Sequence, residues 1–350
     1  MNSPTNYLLM GVFAFAISYL LTPLMGWIAQ KLNILDEPNS RKVHTEAKPR
    51  IGGIAIYVAF LAVFYFAHNM HLFTRGFENE FKGLLIGGLV VFITGLIDDI
   101  WGLKPWLKLL GQIIAALVLV FYGVKISLFI TNSLVSTVIT VLWVVGITNA
   151  FNLLDNMDGL SAGVAGISAL MFFIVYNGQG ITDLSILMMI LMGSIAGFLR
   201  FNFNPASIFM GDAGALFIGF IIAGTSSMGS YLKGSLMTHL PVIIPILILG
   251  VPIFDTLSVI YIRMRSKISI FAADKRHFSH RLVRLGMNQK QAVLFIYLVS
   301  FCVGLGALLL PRLKILDATI VLIQSLGIFA IIVVLMIFQG DELKRKIKNK

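Results

Sequence analysis

The chain has 350 residues, of which 58% are hydrophobic and 12% are charged, and its mean hydropathy is +0.91. Soluble domains contain roughly 45–50% apolar and about 25% charged residues, so this composition excludes a soluble globular protein. A formal net charge of +11 would raise nucleic-acid binding for a soluble chain. In a membrane protein an excess of basic residues more often reflects which loops face the cytoplasm, and we expect no nucleic-acid partner.

Apolar stretches long enough to cross a bilayer, about 17–25 residues, recur along the chain and predict an all-α, polytopic integral membrane protein with a single transmembrane domain over residues 1–350. The first stretch follows no basic residue and exceeds signal-peptide length, so we interpret it as a true span. We place eleven stretches at residues 7–30, 52–68, 83–97, 106–124, 134–152, 159–177, 184–201, 213–230, 240–262, 291–310 and 318–339.

The basic residues predict the orientation. One set of loops carries 21 of the 27 Lys and Arg residues, including the basic tail 341–350, and the opposite set carries 6. Since cytoplasmic loops are enriched in Lys and Arg, we expect the amino terminus outside and the carboxyl terminus in the cytoplasm. The lone cysteine, Cys302, lies in an apolar run, and we interpret it as a lipid-facing or packed thiol.

Six aspartates fall on the predicted cytoplasmic side, at or near the ends of spans. A charged carboxylate in hydrocarbon costs about 2.5–3.5 kcal/mol on insertion scales, so six at one face indicate a shared polar site. They are Asp98, Asp99, Asp155, Asp158, Asp212 and Asp274.

The pair Asp98 and Asp99 closes the third span in LIDDIWGL. Neighbouring helical residues point about 100° apart, so we expect at most one to face the bundle. Two acids here can hold Mg²⁺ against phosphates, or one can act as a base. A solvated helix end is the alternative.

The segment NAFNLLDNMDGL places four polar residues three apart, a spacing that would put them on one face of a helix. They are Asn149, Asn152, Asp155 and Asp158. Such a strip is costly in a membrane unless it lines a polar cavity. Asparagines that pack helices, followed by a loop, are the alternative.

The segment FMGDAG places Asp212 between Gly211 and Gly214 just before an apolar run. An Asp at a helix start can cap the helix or coordinate a metal. Phe209, three residues earlier, is a candidate for stacking on a base or for anchoring the membrane interface.

Two inner loops carry further candidates. In the longest, Asp274, His277 and His280 are three apart, so they would share a helix face, and histidine suits phosphate binding, proton transfer or metal ligation. The first inner loop has a phosphate-binding character, with Arg41, His44 and Lys48 as candidates.

Asp255 stands alone within the ninth span. An intramembrane acid is a functional candidate. Equally, it could pair with Arg200 or with a basic residue of the long loop.

In this order, DD, NxxNxxDxxDGL, GD and DxxHxxH resemble the polyprenyl-phosphate N-acetylhexosamine-1-phosphate transferases of the MraY, WecA and TagO types, also called glycosyltransferase 4. The likeness covers about residues 36–286. It is closest to the TagO and WecA branch, which uses UDP-N-acetylglucosamine. That branch usually has HxHH in the last inner loop, and here Ser279 replaces its middle histidine.

The resemblance implies transfer of N-acetylglucosamine-1-phosphate from UDP-N-acetylglucosamine to undecaprenyl phosphate, with release of UMP, at the cytoplasmic face of a bacterial plasma membrane. It implies Mg²⁺, with Mn²⁺ as the alternative ion, and a first step of wall teichoic acid or related cell-surface polymer synthesis. A homodimer is one oligomeric option.

Residue roles follow from the same resemblance. The catalytic set would be Asp98, Asp99, Asp155 and Asp158, and the metal ligands would be Asp212 and Asp99. Phe209 would stack on uracil, and His277 and His280 would contact the diphosphate. The predicted substrate-binding residues are Asn149, Asn152, Phe209, His277, His280, Asp274, Arg41, His44 and Lys48.

Two alternatives stay open at this stage. One is the same reaction with another UDP-sugar, such as the UDP-MurNAc-pentapeptide used by MraY types. The other is an anionic-solute transporter, which is disfavoured because the acids lie at one face and no internal repeat is visible. We expect Asp99→Asn and Asp212→Asn to abolish turnover, and Asp183→Asn, assigned to an outer loop, to have little effect.

Overall fold

The computed structural model describes residues 4–37, 47–126, 132–229, 243–269, 276–313 and 315–348. Nearly all of this part is helical. One short antiparallel pair joins β1 (Leu35–Asp36) to β2 (Lys48–Pro49). Packing divides the chain into two compact units, Met1–Ser230 and Tyr231–Lys350, and the predicted single domain stays a prediction.

In the first unit, α7 and α8 form the centre. Helix α7 packs against α1, α2 and α6, and α8 packs against α2, α3, α5 and α6. Most residues of these two helices are buried, whereas the outer helices leave large apolar side chains exposed, as expected for helices in lipid. The helices are α1 (Pro4–Lys31), α2 (Gly53–Asn69), α3 (Glu78–Trp101), α4 (Pro105–Phe121), α5 (Ser133–Leu154), α6 (Leu160–Gln179), α7 (Thr182–Asn202) and α8 (Gly211–Met228).

Glycines allow two close helix crossings at the start of α8. A Cβ at Gly95 of α3 would lie 2.5 Å from backbone atoms of Ala213, and a Cβ at Gly53 of α2 would collide with the backbone of Gly214. Small residues allow such approaches between membrane helices. As a result Asp99, one turn after Gly95, lies beside the first turn of α8.

In the second unit, α12 is the central helix and packs against its four neighbours. It begins with a capping box in which Asn288 and Gln291 satisfy each other's backbone N–H groups. The helices are α9 (Ile243–Ile248), α10 (Gly250–Arg265), α11 (Phe278–Arg284), α12 (Gln289–Leu309) and α13 (Ile315–Lys348).

The fold class is confirmed, because a helix lies in each of the eleven predicted stretches. Within the described residues, eight helices are long and apolar enough to cross a membrane, and α2 and α4 are shorter apolar helices. The ninth stretch is broken into α9 and α10 at Leu249. The number of spans and the orientation stay predictions.

Two helical-face predictions were wrong. Asn149 and Asn152 lie on α5, but this helix ends at Leu154, so Asp155 and Asp158 lie in the following turn. The Asp-Asn-Met-Asp-Gly sequence favours a turn, because Asp, Asn and Gly adopt turn conformations readily. The polar strip therefore continues from a helix into a loop.

The histidines of the long loop also do not share one helix. His277 is the residue before α11, whereas His280 lies within it. Asp274, Arg41 and His44, which are predicted to bind substrate, lie outside the described residues.

The placement of Asp183 in an outer loop was wrong. It lies in the first turn of α7 and is 2% exposed. Its carboxylate accepts hydrogen bonds from the backbone N–H (2.9 Å) and the hydroxyl (2.6 Å) of Thr74. It fastens the segment before α3 to α7.

Candidate active site

Asp99 caps helix α8 from the end of α3. It is 5% exposed, and its carboxylate accepts hydrogen bonds from the backbone N–H groups of Asp212 (2.9 Å) and Ala213 (3.0 Å). These N–H groups belong to the first turn of α8, where backbone N–H groups have no acceptor within the helix. The N-cap residue Met210 makes no side-chain cap, so the carboxylate of Asp99 takes its place.

The same carboxylate pairs with Arg50, which donates from Nε (3.2 Å) and from a terminal nitrogen (2.9 Å). A second carboxylate, Asp36, lies 3.7 Å from the other terminal nitrogen. Burial lowers the pKa of Arg50, but the charges of Asp99 and Asp212 raise it, and the net shift is upward. Arg50 is therefore a permanent cation at this site.

Gly211 of the GD motif has a backbone role here. Its φ is +72°, a left-handed conformation that favours glycine. A Cβ at this position would also lie 2.5 Å from Oδ2 of Asp99. The glycine thus allows both the turn into α8 and the approach of the Asp99 carboxylate.

The side chain of Asp212 faces α4 and α5. Its Oδ2 forms an ion pair with Nζ of Lys108, and its Oδ1 accepts a hydrogen bond from Asn152 (2.7 Å). Lys108 also contacts Oδ2 of Asp98 at 3.1 Å, and Oδ1 of Asp98 accepts from the N–H of Leu103 at 2.6 Å. One ammonium therefore joins the carboxylates of the DD and GD motifs.

Helix spacing explains how α4 and α5 meet. Lys108 and Gln112 are one turn apart on α4, and Asn152 and Asn149 are nearly one turn apart on α5. The side-chain amides of Gln112 and Asn149 hydrogen-bond to each other, and Gln112 is 1% exposed. Asn149 thus fixes α5 on α4, while Asn152 contacts Asp212.

Asp155 differs in its hydrogen bonding from the neighbouring carboxylates of Asp98, Asp99, Asp158 and Asp212. No residue within the described part of the chain donates a hydrogen bond to it, although it interacts electrostatically with Asp212, Asp99, Asp158 and Arg50. Burial, followed by the charges of the neighbouring carboxylates, raises the pKa of Asp155 well above its ordinary range. Positive charge entering the cluster would relieve this repulsion.

Asp158 holds a loop in place. It is 8% exposed, and its carboxylate accepts hydrogen bonds from the side chain of Asn204 (3.1 Å) and the backbone N–H of Ala206 (3.0 Å). The buried side chain of Asn202 accepts from the N–H of Gly159 at 3.1 Å. The turn after α5 is therefore fastened to the segment between α7 and α8.

Phe209 and Lys48 are brought together by backbone pairing. The N–H of Phe209 donates to the carbonyl of Pro49 (2.7 Å), and its carbonyl accepts from the N–H of Gly52 (3.0 Å). Nζ of Lys48 lies 5.5 Å from the centre of the Phe209 ring, which is cation–π distance. Two predicted substrate-binding residues thus lie on neighbouring segments.

In the second unit, Asp255 pairs with a residue of the long loop rather than with Arg200. It is 1% exposed, and its two oxygens lie 2.8 Å from Nδ1 of His277 and 2.6 Å from the backbone nitrogen of Phe278. The partner is thus a histidine of the long loop, and the functional role of Asp255 stays a prediction.

The acids of the first unit can be tested as a metal site. Among the described residues, no three acidic, histidine or cysteine side chains form a ready-made metal-binding group. Asp98 and Asp212 instead share the ammonium of Lys108, and Asp155 lies in the same electrostatic cluster. Carboxylate oxygens are the ligands that Mg²⁺ prefers. The chemistry of these donors suits Mg²⁺, and its binding stays a prediction.

Sequence reasoning missed the roles of Arg50, Lys108 and Gln112. Arg50 and Lys108 entered only through the distribution of basic residues. A lysine one turn inside an apolar stretch is expensive unless it meets an acid, and this signal could have identified Lys108.

The comparisons with known proteins show the family of this chain. The family model for glycosyl transferase family 4 matches residues 81–230, a range that contains Asp98, Lys108, Asp155 and Asp212. The chain is 37% identical, over 93% of its length and 90% of the relative, to a probable undecaprenyl-phosphate N-acetylglucosaminyl 1-phosphate transferase of Bacillus subtilis.

Two further relatives extend the likeness. A decaprenyl-phosphate N-acetylglucosaminephosphotransferase of Mycobacterium leprae is 36% identical over 85% of this chain and 82% of the relative. An undecaprenyl-phosphate alpha-N-acetylglucosaminyl 1-phosphate transferase of Pasteurella multocida is 32% identical over 85% of each chain. The chain belongs to glycosyl transferase family 4, as its motifs predicted.

Proposed function

We propose that this protein transfers N-acetylglucosamine-1-phosphate from UDP-N-acetylglucosamine to undecaprenyl phosphate, giving undecaprenyl-diphospho-N-acetylglucosamine and UMP. The observation that carries the proposal is the cluster of carboxylates and cations at the start of α8, within the family match. The names of the relatives pair N-acetylglucosamine with undecaprenyl or decaprenyl phosphate.

The cluster suits phosphoryl transfer because this reaction depends mainly on positioning and on neutralising oxygen charge. Lys108 and Arg50 are cations held in place by carboxylates. An ammonium already shared between two acids can turn toward a phosphate oxygen with little change in position. We assign Lys108 to the phosphates and Arg50 to holding Asp99.

We assign the metal to Asp212 and Asp98. Mg²⁺, or Mn²⁺ in its place, would polarise the phosphate oxygens and offset their charge when bound. Asp99 was a predicted ligand, but its oxygens already accept four hydrogen bonds from Arg50 and two backbone amides. Its role in our proposal is to fix the start of α8 and so to aim Asp212.

Asp155 is our candidate for direct contact with a substrate. Its carboxylate accepts no hydrogen bond within the described residues, whereas Asp98, Asp99, Asp158 and Asp212 all hold partners. Asn152, which contacts Asp212, would help to set the same surface. Phe209 and Lys48 remain our candidates for the uracil.

The membrane face and pathway complete the proposal. The basic loops predict that this end of the helices faces the cytoplasm, where nucleotide sugars are found, and a first step of wall teichoic acid or related polymer synthesis would use this product. His277, His280, Asp274, Arg41 and His44 stay predictions for the substrates, and a homodimer stays an option.

The test is UMP release by the purified full chain in detergent, with undecaprenyl phosphate present or omitted, across a panel of UDP-sugars. We expect release from UDP-N-acetylglucosamine that requires the lipid, stops with EDTA and returns with excess Mg²⁺. Release from UDP-MurNAc-pentapeptide alone would keep the reaction type and change the donor. Absence of release from every donor would contradict the proposal and favour the transporter alternative.

A further inference from the structure

Asp255 and His277 form a buried pair between α10 and the start of α11. The Oδ2 atom of Asp255 lies 2.8 Å from Nδ1 of His277, and Oδ1 accepts from the N–H of Phe278 at 2.6 Å. A carboxylate accepts hydrogen bonds but does not donate them, so Nδ1 is the ring nitrogen that carries the proton. The pair thus fixes both the orientation and the tautomer of the imidazole.

The other ring nitrogen is left for a ligand. Nε2 of His277 makes no hydrogen bond to any residue in the described ranges, although the residue is 5% exposed. A histidine whose Nδ1 is held by a carboxylate presents Nε2 in a defined direction. This arrangement differs from a buried histidine with both nitrogens satisfied inside the protein.

A second contact joins the same two helices, α10 and α11. Arg281, one turn after His277, donates to the hydroxyl of Ser258, which lies one turn after Asp255. Nε of Arg281 is buried and has no hydrogen-bond partner among the described residues. Arg281 places a positive charge one turn from His277 in the chain, which favours an anionic ligand such as a phosphate group.

We propose that Asp255 is a positioning residue that holds His277 as the Nδ1–H tautomer, so that Nε2 takes up a proton from solvent and its N–H then donates a hydrogen bond to a phosphate oxygen of a substrate. The identity of that substrate rests on the proposed function. The tautomer itself does not, because it follows from the contacts of Asp255 within the second unit.

Asp255→Asn provides a sharp test because it keeps the shape of the side chain. The carboxamide has one oxygen, which the N–H of Phe278 requires, so its NH₂ group would face Nδ1 of His277. Nδ1 would then have to accept, and the proton of the neutral ring would move to Nε2. We expect the variant to reverse the tautomer.

The first measurement is ¹⁵N NMR of the full chain in lipid bilayers, labelled at its six histidines and recorded at alkaline pH, where imidazoles are neutral. Comparison with His277→Gln identifies the signals of His277. We expect Nδ1–H in the wild type, Nε2–H in Asp255→Asn, and the wild-type pattern in the control Ser258→Ala. Any other form in the wild type, or an unchanged Asp255→Asn, would overturn the proposal.

The second measurement is the rate of UMP release. We expect Asp255→Asn to lower kcat about tenfold or more, a typical loss when a partner of a functional histidine is removed, and Asp255→Glu to restore part of it. In a His277→Ala background the Asp255→Asn change should have no further effect. If Asp255→Asn lowers kcat by the same factor in the His277→Ala background as in the wild type, Asp255 has only a structural role.

The two measurements separate this proposal from the proposed function. If the wild type releases no UMP, the proposed function fails, and the NMR result still decides the tautomer. If Asp255→Asn does not fold, the wild-type spectrum compared with that of His277→Gln decides it alone.

Discussion

Asp99 and Asp183 are both buried carboxylates of the first unit, and they mark opposite ends of α3. Asp183 contacts Thr74, just before this helix of 24 residues begins, whereas Asp99 lies near its end. A helix of this length spans about 36 Å. The exposed fractions of the two aspartates are similar, at 2% and 5%, but their surroundings differ.

The carboxylate of Asp183 accepts hydrogen bonds from two neutral donors, both of Thr74, and has a local structural role. Asp99 contacts a cation and a helix start, and it interacts with Asp155, Asp212 and Arg50, which interact with one another. Burial of a carboxylate is therefore a poor sign of function. A network of several interacting charges, with one carboxylate left unpaired, is the better sign.

The strongest test of this contrast is Asp212→Asn. The amide can still accept a hydrogen bond from Asn152, but it loses the negative charge that Lys108 and a metal would share. We expect kcat for UMP release to fall about 10³-fold or more, while the protein keeps its thermal unfolding temperature within a few degrees.

The matched control is Asp183→Asn, which makes the same chemical change at the other end of α3. Activity of Asp212→Asn within twofold of the wild type would refute the metal assignment.

Lys108→Met should have a smaller but still large effect. It removes the ammonium between Asp98 and Asp212 and keeps the apolar stem, so we expect a loss on the order of 10² in kcat, similar to the loss of one donor to a developing negative charge. Because Lys108 and a metal would balance the same acids, added Mg²⁺ should raise the unfolding temperature of this variant more than that of the wild type. Equal Mg²⁺ shifts would show that Lys108 does not share its acids with the metal.

Asp183→Asn should have the smallest effect on catalysis. Thr74 can still donate to the remaining oxygen, so we expect a loss of about 1 kcal/mol in the free energy of unfolding and a kcat within twofold of the wild type. Thermal unfolding and UMP release measure the two quantities. Thr74→Val removes the hydroxyl from the same contact and should give a similar result. A tenfold loss of kcat in Asp183→Asn would remove the contrast between the two ends of α3.

The class of fold followed from the sequence because the signal is long and redundant. Each apolar stretch predicts a helix whatever its neighbours are, and each of the eleven contains one. Local departures were less predictable. The end of α5 at Leu154 depends on turn residues that compete with helical periodicity, and the period of three at Asn149, Asn152, Asp155 and Asp158 hid that end.

Much of the site could also be predicted, since five of its acids stood out as charges at the ends of apolar helices. The residues that contact these acids could not be predicted. The contact of Asp99 with the start of α8 depends on Gly95 and Gly211, and no spacing in the sequence relates α3 to α8. The pairing of Asp255 with His277 likewise depends on how α11 packs on α10.

The cap that Asp99 provides to α8 has a consequence for biosynthesis. The carboxylate and the amide of Ala213 are 114 residues apart in the chain. At about 5–20 residues per second, a ribosome needs roughly 6–23 s to make the residues between them. Throughout that interval Asp99 lacks the helix it will cap. Arg50 precedes Asp99 in the chain, so a cationic partner of this acid has already been made.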